Sequence, residues 1–136
     1  MKQFQGKTLS WACVEGCIEL VLDRAPCNEI GSATLPEMEQ FVEALATMQG
    51  DAHALIISSA RKEGFCAGAD LRELYRESQP LATAERLTRL REFLARIHRV
   101  MNAIDSASLT TIAAIEGIAF GGGSVAYSKS LSLLTG

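Results

Sequence analysis

Hydrophobic and polar residues alternate over residues 11–23, near the start of the chain. A period of two is typical of strands that bury one face, and a Glu-Gly pair in the middle of this stretch favours a tight turn. These features predict a β-hairpin that begins a sheet. Three aliphatic side chains share the face that we expect to be buried, namely Ile18, Leu20 and Leu22.

The next two segments change from a helical to a strand-like pattern. Hydrophobic residues recur at helical spacing over residues 38–48 and stop at Gly50, which predicts an amphipathic helix. The stretch HALIISSA, residues 53–60, then predicts a strand buried on both faces. Strands of that kind occur where helices cover a sheet, so we expect a parallel or mixed sheet.

A long helix and a final strand complete the pattern. Residues 82–105 place hydrophobic side chains along one helical face. The members of that face are Leu87, Leu90, Leu94, Ile97 and Met101. The apolar stretch TIAAIEGIAF, residues 111–120, predicts one strand that runs directly into three glycines. The alternation of strands and helices predicts an α/β fold.

Composition and charge narrow the class of protein. The 136 residues are 48% hydrophobic and 21% charged, as in one globular unit. The net charge of −3 gives no general attraction to nucleic acid, and the arginines of the long helix are interleaved with glutamates, as on a solvated face. No apolar run approaches the roughly 20 residues of a membrane helix, and the first residues lack a secretion signal. We therefore expect a cytoplasmic protein that binds neither nucleic acid nor membrane.

The four cysteines do not form a metal-binding pattern. Cys13, Cys17, Cys27 and Cys66 match no Cys-x-x-Cys pair, and the chain has only two histidines, so no metal site is expected. We interpret the cysteines as small buried hydrophobic residues. A nucleophilic role is the alternative for Cys66, because it lies in a glycine-rich turn.

Two glycine-rich turns are the candidates for chemistry. They read GFCAGADL, residues 64–71, and FGGGSVAY, residues 120–127, and each leads into the start of a helical pattern. Small residues let a ligand approach the backbone, and the first N–H groups of a helix are unpaired and partly positive. Two such turns facing one point would stabilise an oxyanion. The glycines fit neither a Walker loop nor a dinucleotide fingerprint, and close packing of a helix on a strand is the alternative.

The sequences around these turns carry a resemblance to a known family. GFCAGADLREL and TIAAIEGIAFGGG, in this order, resemble the two signature segments of the crotonase superfamily, the enoyl-CoA hydratase/isomerase family, and IELVLDRAPCNEIG resembles its first strand and the turn that follows. The resemblance covers residues 16–123 and implies an α/β spiral of strand-strand-helix units. It implies that residues 1–136 are a partial crotonase-like domain, truncated before the C-terminal helical region, with a divergent tail over residues 124–136.

The resemblance also implies a substrate and the residues that contact it. Substrates would be acyl-CoA thioesters, with coenzyme A as part of the substrate and no separate cofactor. The peptide N–H groups of Ala69 and Gly122 would form the oxyanion hole. The positions that would contact coenzyme A or the acyl chain are Arg24, Pro26, Cys66, Ala67, Gly68, Asp70, Leu71, Leu74, Tyr75, Ile118, Phe120 and Gly121.

Several of these residues have a structural alternative. Arg24 is either a phosphate partner or a surface arginine at a strand end. Asp70 is favoured as the cap of a short helix. Core packing is the alternative for the apolar members, Leu71, Leu74, Tyr75, Ile118 and Phe120.

The catalytic glutamates of the family have no counterpart at the matching positions. The first would stand at Val125, whose side chain can neither accept a proton nor orient water, and the second would follow beyond Gly136. Glu73 and Glu116 are other carboxylates near the turns, but we favour exposed structural roles for both. The catalytic acid or base is therefore unassigned.

Two functions remain open. One is hydratase- or isomerase-type chemistry on an acyl-CoA, with an enolate stabilised in the oxyanion hole. The other is an inactive fragment or acyl-CoA-binding module without acid-base groups. A frameshift or early stop after Gly123 or Ser124 would explain the divergent tail, and a naturally short form is the competing explanation. The family implies a homotrimer or hexamer, and an isolated monomer is expected to be marginally stable.

Overall fold

The computed structural model describes residues 2–121 and contains a mixed sheet flanked by helices. Its strands, in chain order, are β1 (Gln3–Gln5), β2 (Leu9–Val14), β3 (Cys17–Leu22), β4 (Ala54–Ser59), β5 (Gly64–Cys66), β6 (Thr110–Ala113) and β7 (Ile118–Ala119). The main sheet has the order β1-β2-β3-β4-β6, antiparallel up to β3 and parallel from β3 to β6. The predicted hairpin and mixed sheet are confirmed.

The described residues form three helices: α1 (Thr34–Met48), α2 (Leu71–Ser78) and α3 (Thr83–Ser106). Helices α1 and α3 contribute buried side chains to the core beside the sheet, whereas α2 packs against α3. The predicted apolar face of α1 is buried, and the Phe41 ring lies edge-on to Trp11 of β2 with their centroids 6.1 Å apart. Buried residues of β2, β3, β4, α1 and α3 form one hydrophobic cluster. Every helix within residues 2–121 is too short or too polar to cross a membrane.

The predicted long helix is confirmed, but only its second half buries side chains against the rest of the protein. Its buried side chains are Ile97, Val100 and Ile104, whereas the predicted members Leu87, Leu90 and Leu94 are 47%, 40% and 39% exposed. The strand expected to be buried on both faces, β4, buries Leu55 and Ile57 fully but Ile56 only in part. Both expectations overstated burial because helical or strand periodicity does not show which face has a neighbour.

The predicted single strand over residues 111–120 is two strands in different sheets. β6 pairs with β4 in the main sheet, whereas β7 pairs in parallel with β5 in a separate two-stranded sheet. Gly117, between them, has a φ of +74° and lies against Gly64, where a Cβ would approach the Gly64 Cα to 3.2 Å. The chain therefore leaves one sheet and enters the other at a position that favours glycine.

Candidate functional site

The two glycine-rich turns meet at the ends of β5 and β7. The Phe120 N–H donates to the Cys66 carbonyl at 2.8 Å, which extends the β5–β7 pairing. Gly68 and Gly121 both have positive φ, and a Cβ on Gly68 would lie 3.1 Å from the Phe120 carbonyl oxygen. A Cβ on Gly121 would lie 3.2 Å from the Gly68 Cα. The glycines therefore allow two backbones to approach closely.

Ala69 lies at this junction with its N–H directed away from Ile30, the residue opposite it in an isolated bridge. Its two flanking peptides both pair with Ile30: the Ile30 N–H donates to the Gly68 carbonyl at 2.8 Å, and the Asp70 N–H donates to the Ile30 carbonyl at 2.9 Å. In parallel pairing of this kind, one residue makes both hydrogen bonds and the residue opposite it directs its own N–H away from the pair. Here Ile30 makes both bonds and Ala69 is the residue opposite. Within residues 2–121, the Ala69 N–H has no hydrogen-bond acceptor. Gly122, the other predicted donor, and Val125 lie outside the described residues.

Asp70 caps helix α2, as predicted. Its carboxylate accepts from the Glu73 N–H at 3.1 Å and from the Arg24 guanidinium at 2.8 Å. Burial alone would raise the pKa of Asp70, but these two hydrogen bonds and the positive charge of Arg24 lower it below the ordinary value of 3.8. Asp70 is therefore a charged cap that links α2 to the segment after β3.

Arg24 lies just after β3, and its guanidinium already has protein partners. Besides Asp70 it donates to the Glu29 carbonyl, and it lies 3.6 Å from the Glu73 carboxylate. These contacts favour a structural arginine and would compete with a coenzyme A phosphate. Pro26, two residues later, is exposed. The contacts of Arg24 and Pro26 with a substrate stay predictions.

Glu73 is buried, contrary to the exposed position expected for it. Its carboxylate accepts from the Ser32 N–H at 2.9 Å, and a Cβ on Gly31 would lie only 2.2 Å from the second oxygen. The expectation failed because the contacting loop lies some forty residues earlier in the chain, beyond the reach of local periodicity. Glu116, in contrast, is exposed as expected.

Cys66 is buried, and its sulfur lies among backbone groups. The thiol donates to the Asn28 carbonyl and accepts from the Gly68 N–H, both at 3.4 Å. This environment favours packing over a nucleophilic role. Cys27 is also buried, and this burial, together with the negative charges of Glu29 and Glu63, raises the pKa of its thiol. Cys13 and Cys17 are half-buried. In the part of the chain that the structure describes, no group of histidine, cysteine or acidic side chains could hold a metal ion.

The apolar side chains predicted to contact the substrate are mostly exposed. Leu71 is 72%, Tyr75 69%, Ile118 43% and Phe120 63% exposed, so core packing among the described residues is wrong for these four. Leu74 is half-buried, like Ala67. An apolar groove of about 250 Å³ lies between α2 and α3; its hydrophobic lining consists of Leu71, Leu74, Tyr75, Leu87 and Leu90.

Asn28 is a residue of this region for which the sequence predicted no role of its own. It is buried with a φ of +56°, and its side-chain amide donates to the Ser59 hydroxyl and the Phe65 carbonyl, each at 2.8 Å. The only local signal was its place after Pro26 in a turn that resembles the family. Asparagine tolerates positive φ better than most residues, which is consistent with this position.

The comparisons with known proteins identify the family. A family model described as enoyl-CoA hydratase/isomerase matches residues 18–132. The chain therefore belongs to the enoyl-CoA hydratase/isomerase family and has part of the crotonase fold. The matched range continues past Gly123, where the motif resemblance ended, and the proposed boundary of the tail stays a prediction.

Individual relatives agree with this assignment. The chain is 39% identical over 99 residues, 71% of its length, to an enoyl-CoA isomerase/hydratase of Zymoseptoria tritici. It is 33% identical over 112 residues, 80% of its length, to the mouse protein named enoyl-CoA hydratase domain-containing protein 2, mitochondrial. The crystal structure of an enoyl-CoA hydratase from Bacillus anthracis superposes on 90% of the chain with a TM-score of 0.71 at 24% identity, a likeness of fold.

The chain spans less than half the length of each of these proteins. It covers 29% of the Zymoseptoria protein, 34% of the mouse protein and 45% of the Bacillus chain. The activity, substrates and assembly of the whole relatives therefore enter only as proposals for this chain.

Proposed function

We propose that the chain binds an acyl-CoA thioester and polarises its carbonyl with the N–H groups of Ala69 and Gly122. The observation that carries this proposal is the Ala69 N–H, which lies where the two glycine-rich turns meet and has no acceptor within residues 2–121. A thioester carbonyl that gains negative charge, in an enolate or a tetrahedral intermediate, is the group such donors stabilise. No cofactor beyond the coenzyme A of the substrate is proposed.

Hydratase- or isomerase-type turnover is the first form of this function. It requires a group that moves a proton beside the polarised carbonyl. Neither carboxylate of the first turn is free for that task, because Asp70 caps α2 and Glu73 binds the Ser32 N–H. Any acid or base would therefore come from elsewhere, and its identity is not assigned.

Binding without turnover is the second form, and Val125 favours it. The aliphatic side chain stands at the position matched to the first family glutamate. The exposed apolar residues beside Ala69, including Leu71, would contact the acyl chain in either form. We further propose a homotrimer or hexamer and a cytoplasmic location, although the mouse relative is named mitochondrial.

Crotonyl-CoA separates these forms, since hydration removes its conjugated absorbance. If the protein turns it over, Gly122→Pro, which lacks the N–H, should abolish the activity, while Gly122→Ala, which keeps it, serves as the matched control. Calorimetric binding without absorbance loss would support the binding module. Neither binding nor turnover, by a protein shown to be folded, would overturn the proposal.

A further inference from the structure

We propose that Arg24 and Glu73 are positioning residues that hold the Ala69 peptide in place through the loop that carries Ile30. This inference rests on the proposed function of the Ala69 N–H as a carbonyl donor. It starts from the geometry of Ile30, which pairs with both peptides that flank Ala69. Any displacement of Ile30 would therefore rotate or shift the Ala69 N–H.

The segment that carries Ile30 has no regular structure of its own. Residues 23–33 connect β3 to α1 and contain no helix or strand, apart from the single bridge from Ile30 to Ala69. One pair of hydrogen bonds is a weak constraint on a loop, because each bond makes only a small net contribution to stability. Other contacts of the loop add to this constraint: the Ile30 side chain is buried, the Ala67 N–H donates to the Cys27 carbonyl, and side chains bind the loop on either side of Ile30.

Arg24 and Glu73 make those contacts from opposite directions. Before Ile30, the Arg24 guanidinium joins the Glu29 carbonyl to the Asp70 carboxylate. After Ile30, the Glu73 carboxylate accepts from the Ser32 N–H at 2.9 Å. The loop is thus attached to the first turn of α2 on both sides of the residue that pairs with Ala69.

The two attachments share the charge of Arg24. Arg24 lies 2.8 Å from Asp70 and 3.6 Å from Glu73, so one guanidinium faces two partly buried carboxylates and offsets part of their negative charge. Hydrogen bonds to charged groups that are shielded from water are stronger than neutral ones. Gly31 leaves the space that the Glu73 carboxylate occupies, since a Cβ there would lie 2.2 Å from its oxygen. The glycine at position 31 therefore allows Glu73 to reach the loop.

Amide hydrogen exchange tests the positioning without any ligand. In Glu73→Ala, the Ile30 and Asp70 amides, which form the pairing, should exchange about tenfold faster or more. The matched control is Glu77→Ala, which removes an exposed carboxylate from the same helix and should leave both amides unchanged. The Leu20 and Ile57 amides of the main sheet report global destabilisation. Unchanged exchange at Ile30 and Asp70 in Glu73→Ala would overturn the inference.

Conservative variants decide the question if Glu73→Ala does not fold. Glu73→Gln keeps an oxygen for the Ser32 N–H but loses the charge that faces Arg24. Arg24→Lys keeps the charge but loses the planar guanidinium, whose separate nitrogens bind the Glu29 carbonyl and the Asp70 carboxylate. Both should accelerate exchange at Ile30 and Asp70 relative to the main-sheet amides. Parent-like exchange in both variants would count against the inference.

The carbonyl stretch of bound butyryl-CoA, labelled with carbon-13 at the thioester, tests the consequence for the site. Butyryl-CoA has no double bond to hydrate, so it reports binding alone. The parent should lower the stretching frequency, and Glu73→Ala should bind with a smaller lowering, whereas a merely structural role would change only stability. A parent that binds without lowering the frequency would overturn the proposed function. Equal lowering in parent and Glu73→Ala would overturn only the positioning role.

Discussion

Asn28 joins three segments around the candidate site. Its Oδ1 accepts from the Arg24 N–H at 2.8 Å, and its amide nitrogen donates to Ser59, at the end of β4, and to the Phe65 carbonyl in β5. The side chain is buried, so water cannot replace a lost partner. One residue thereby fixes the start of the loop that pairs with Ala69.

We predict that Asn28→Ala lowers the free energy of unfolding by about 3 kcal/mol, measured by urea denaturation. The substitution removes three hydrogen bonds, leaves the Phe65 carbonyl without its donor from Asn28, and places alanine at a φ of +56°. Asn28→Gly is the matched control, because it loses the same bonds but tolerates this φ, and it should be less destabilising. A loss under about 0.5 kcal/mol for Asn28→Ala would contradict the role assigned to the side chain.

Sequence reasoning at the residue scale succeeded where the interaction is local. The capping role of Asp70 follows from its position before a short helical pattern, and its bond to the Glu73 N–H spans three residues. The burial of Glu73 depends on Ser32, far away in the chain, and two of the three partners of Asn28 lie on later strands. No periodicity or motif records contacts of that kind. The donor role of Ala69 came from family resemblance and stays a prediction.

At the scale of elements, an ion pair joins α1 to the middle of α3. The Arg96 Nε donates to Glu39 at 3.1 Å, with a second contact through the other guanidinium nitrogen. The hydrogen bond from Arg96 lowers the pKa of Glu39 below its ordinary value of 4.5, although partial burial opposes this effect. The pair lies just before Ile97, where α3 becomes buried.

This pair should stabilise the fold only when Glu39 is ionised. Because the folded-state pKa is depressed, the contribution is fully present above about pH 4.5 and is lost as pH falls through the folded-state value. We predict that Glu39→Gln lowers the free energy of unfolding by about 0.5 kcal/mol at pH 7, since both side chains are partly solvated. The difference from the parent should disappear in acid.

Urea titrations across this pH range provide the measurement. Glu43→Gln is the matched control, because Glu43 is exposed on the same helix. It should show no comparable pH-dependent difference. A Glu39→Gln deficit that persists unchanged at low pH would show that packing, and not the charge, accounts for the effect.

The elements themselves were predictable where the pattern had one explanation. The hairpin β2–β3 and the helix α1 follow from period-two and helical spacing. The apolar run over residues 111–120 has the same composition whether it forms one strand or two, and only Gly117 marks the change of sheet. The register of β7 against β5 depends on tertiary pairing, which a single sequence does not display.

At the scale of the whole molecule, the described residues leave large apolar side chains in contact with solvent. Leu71, Tyr75, Leu87 and Leu90 border one groove between α2 and α3. Elsewhere, Ile112 is 49% exposed on β6, which lies at the edge of the main sheet among the described strands. Apolar surfaces and strand edges of this kind favour association with other molecules.

We therefore predict that the chain self-associates in solution, and that replacing groove residues reduces the association. The double substitution Leu87→Gln and Leu90→Gln should lower binding of an apolar fluorescent dye and shift sedimentation toward monomer, because both side chains are partly exposed and contribute little to the core. Thr88→Gln, on the exposed part of the same helix, is the matched control and should change neither property. A parent chain that stays monomeric at all concentrations, excludes the dye and unfolds cooperatively well above room temperature would show that these side chains do not destabilise the isolated chain.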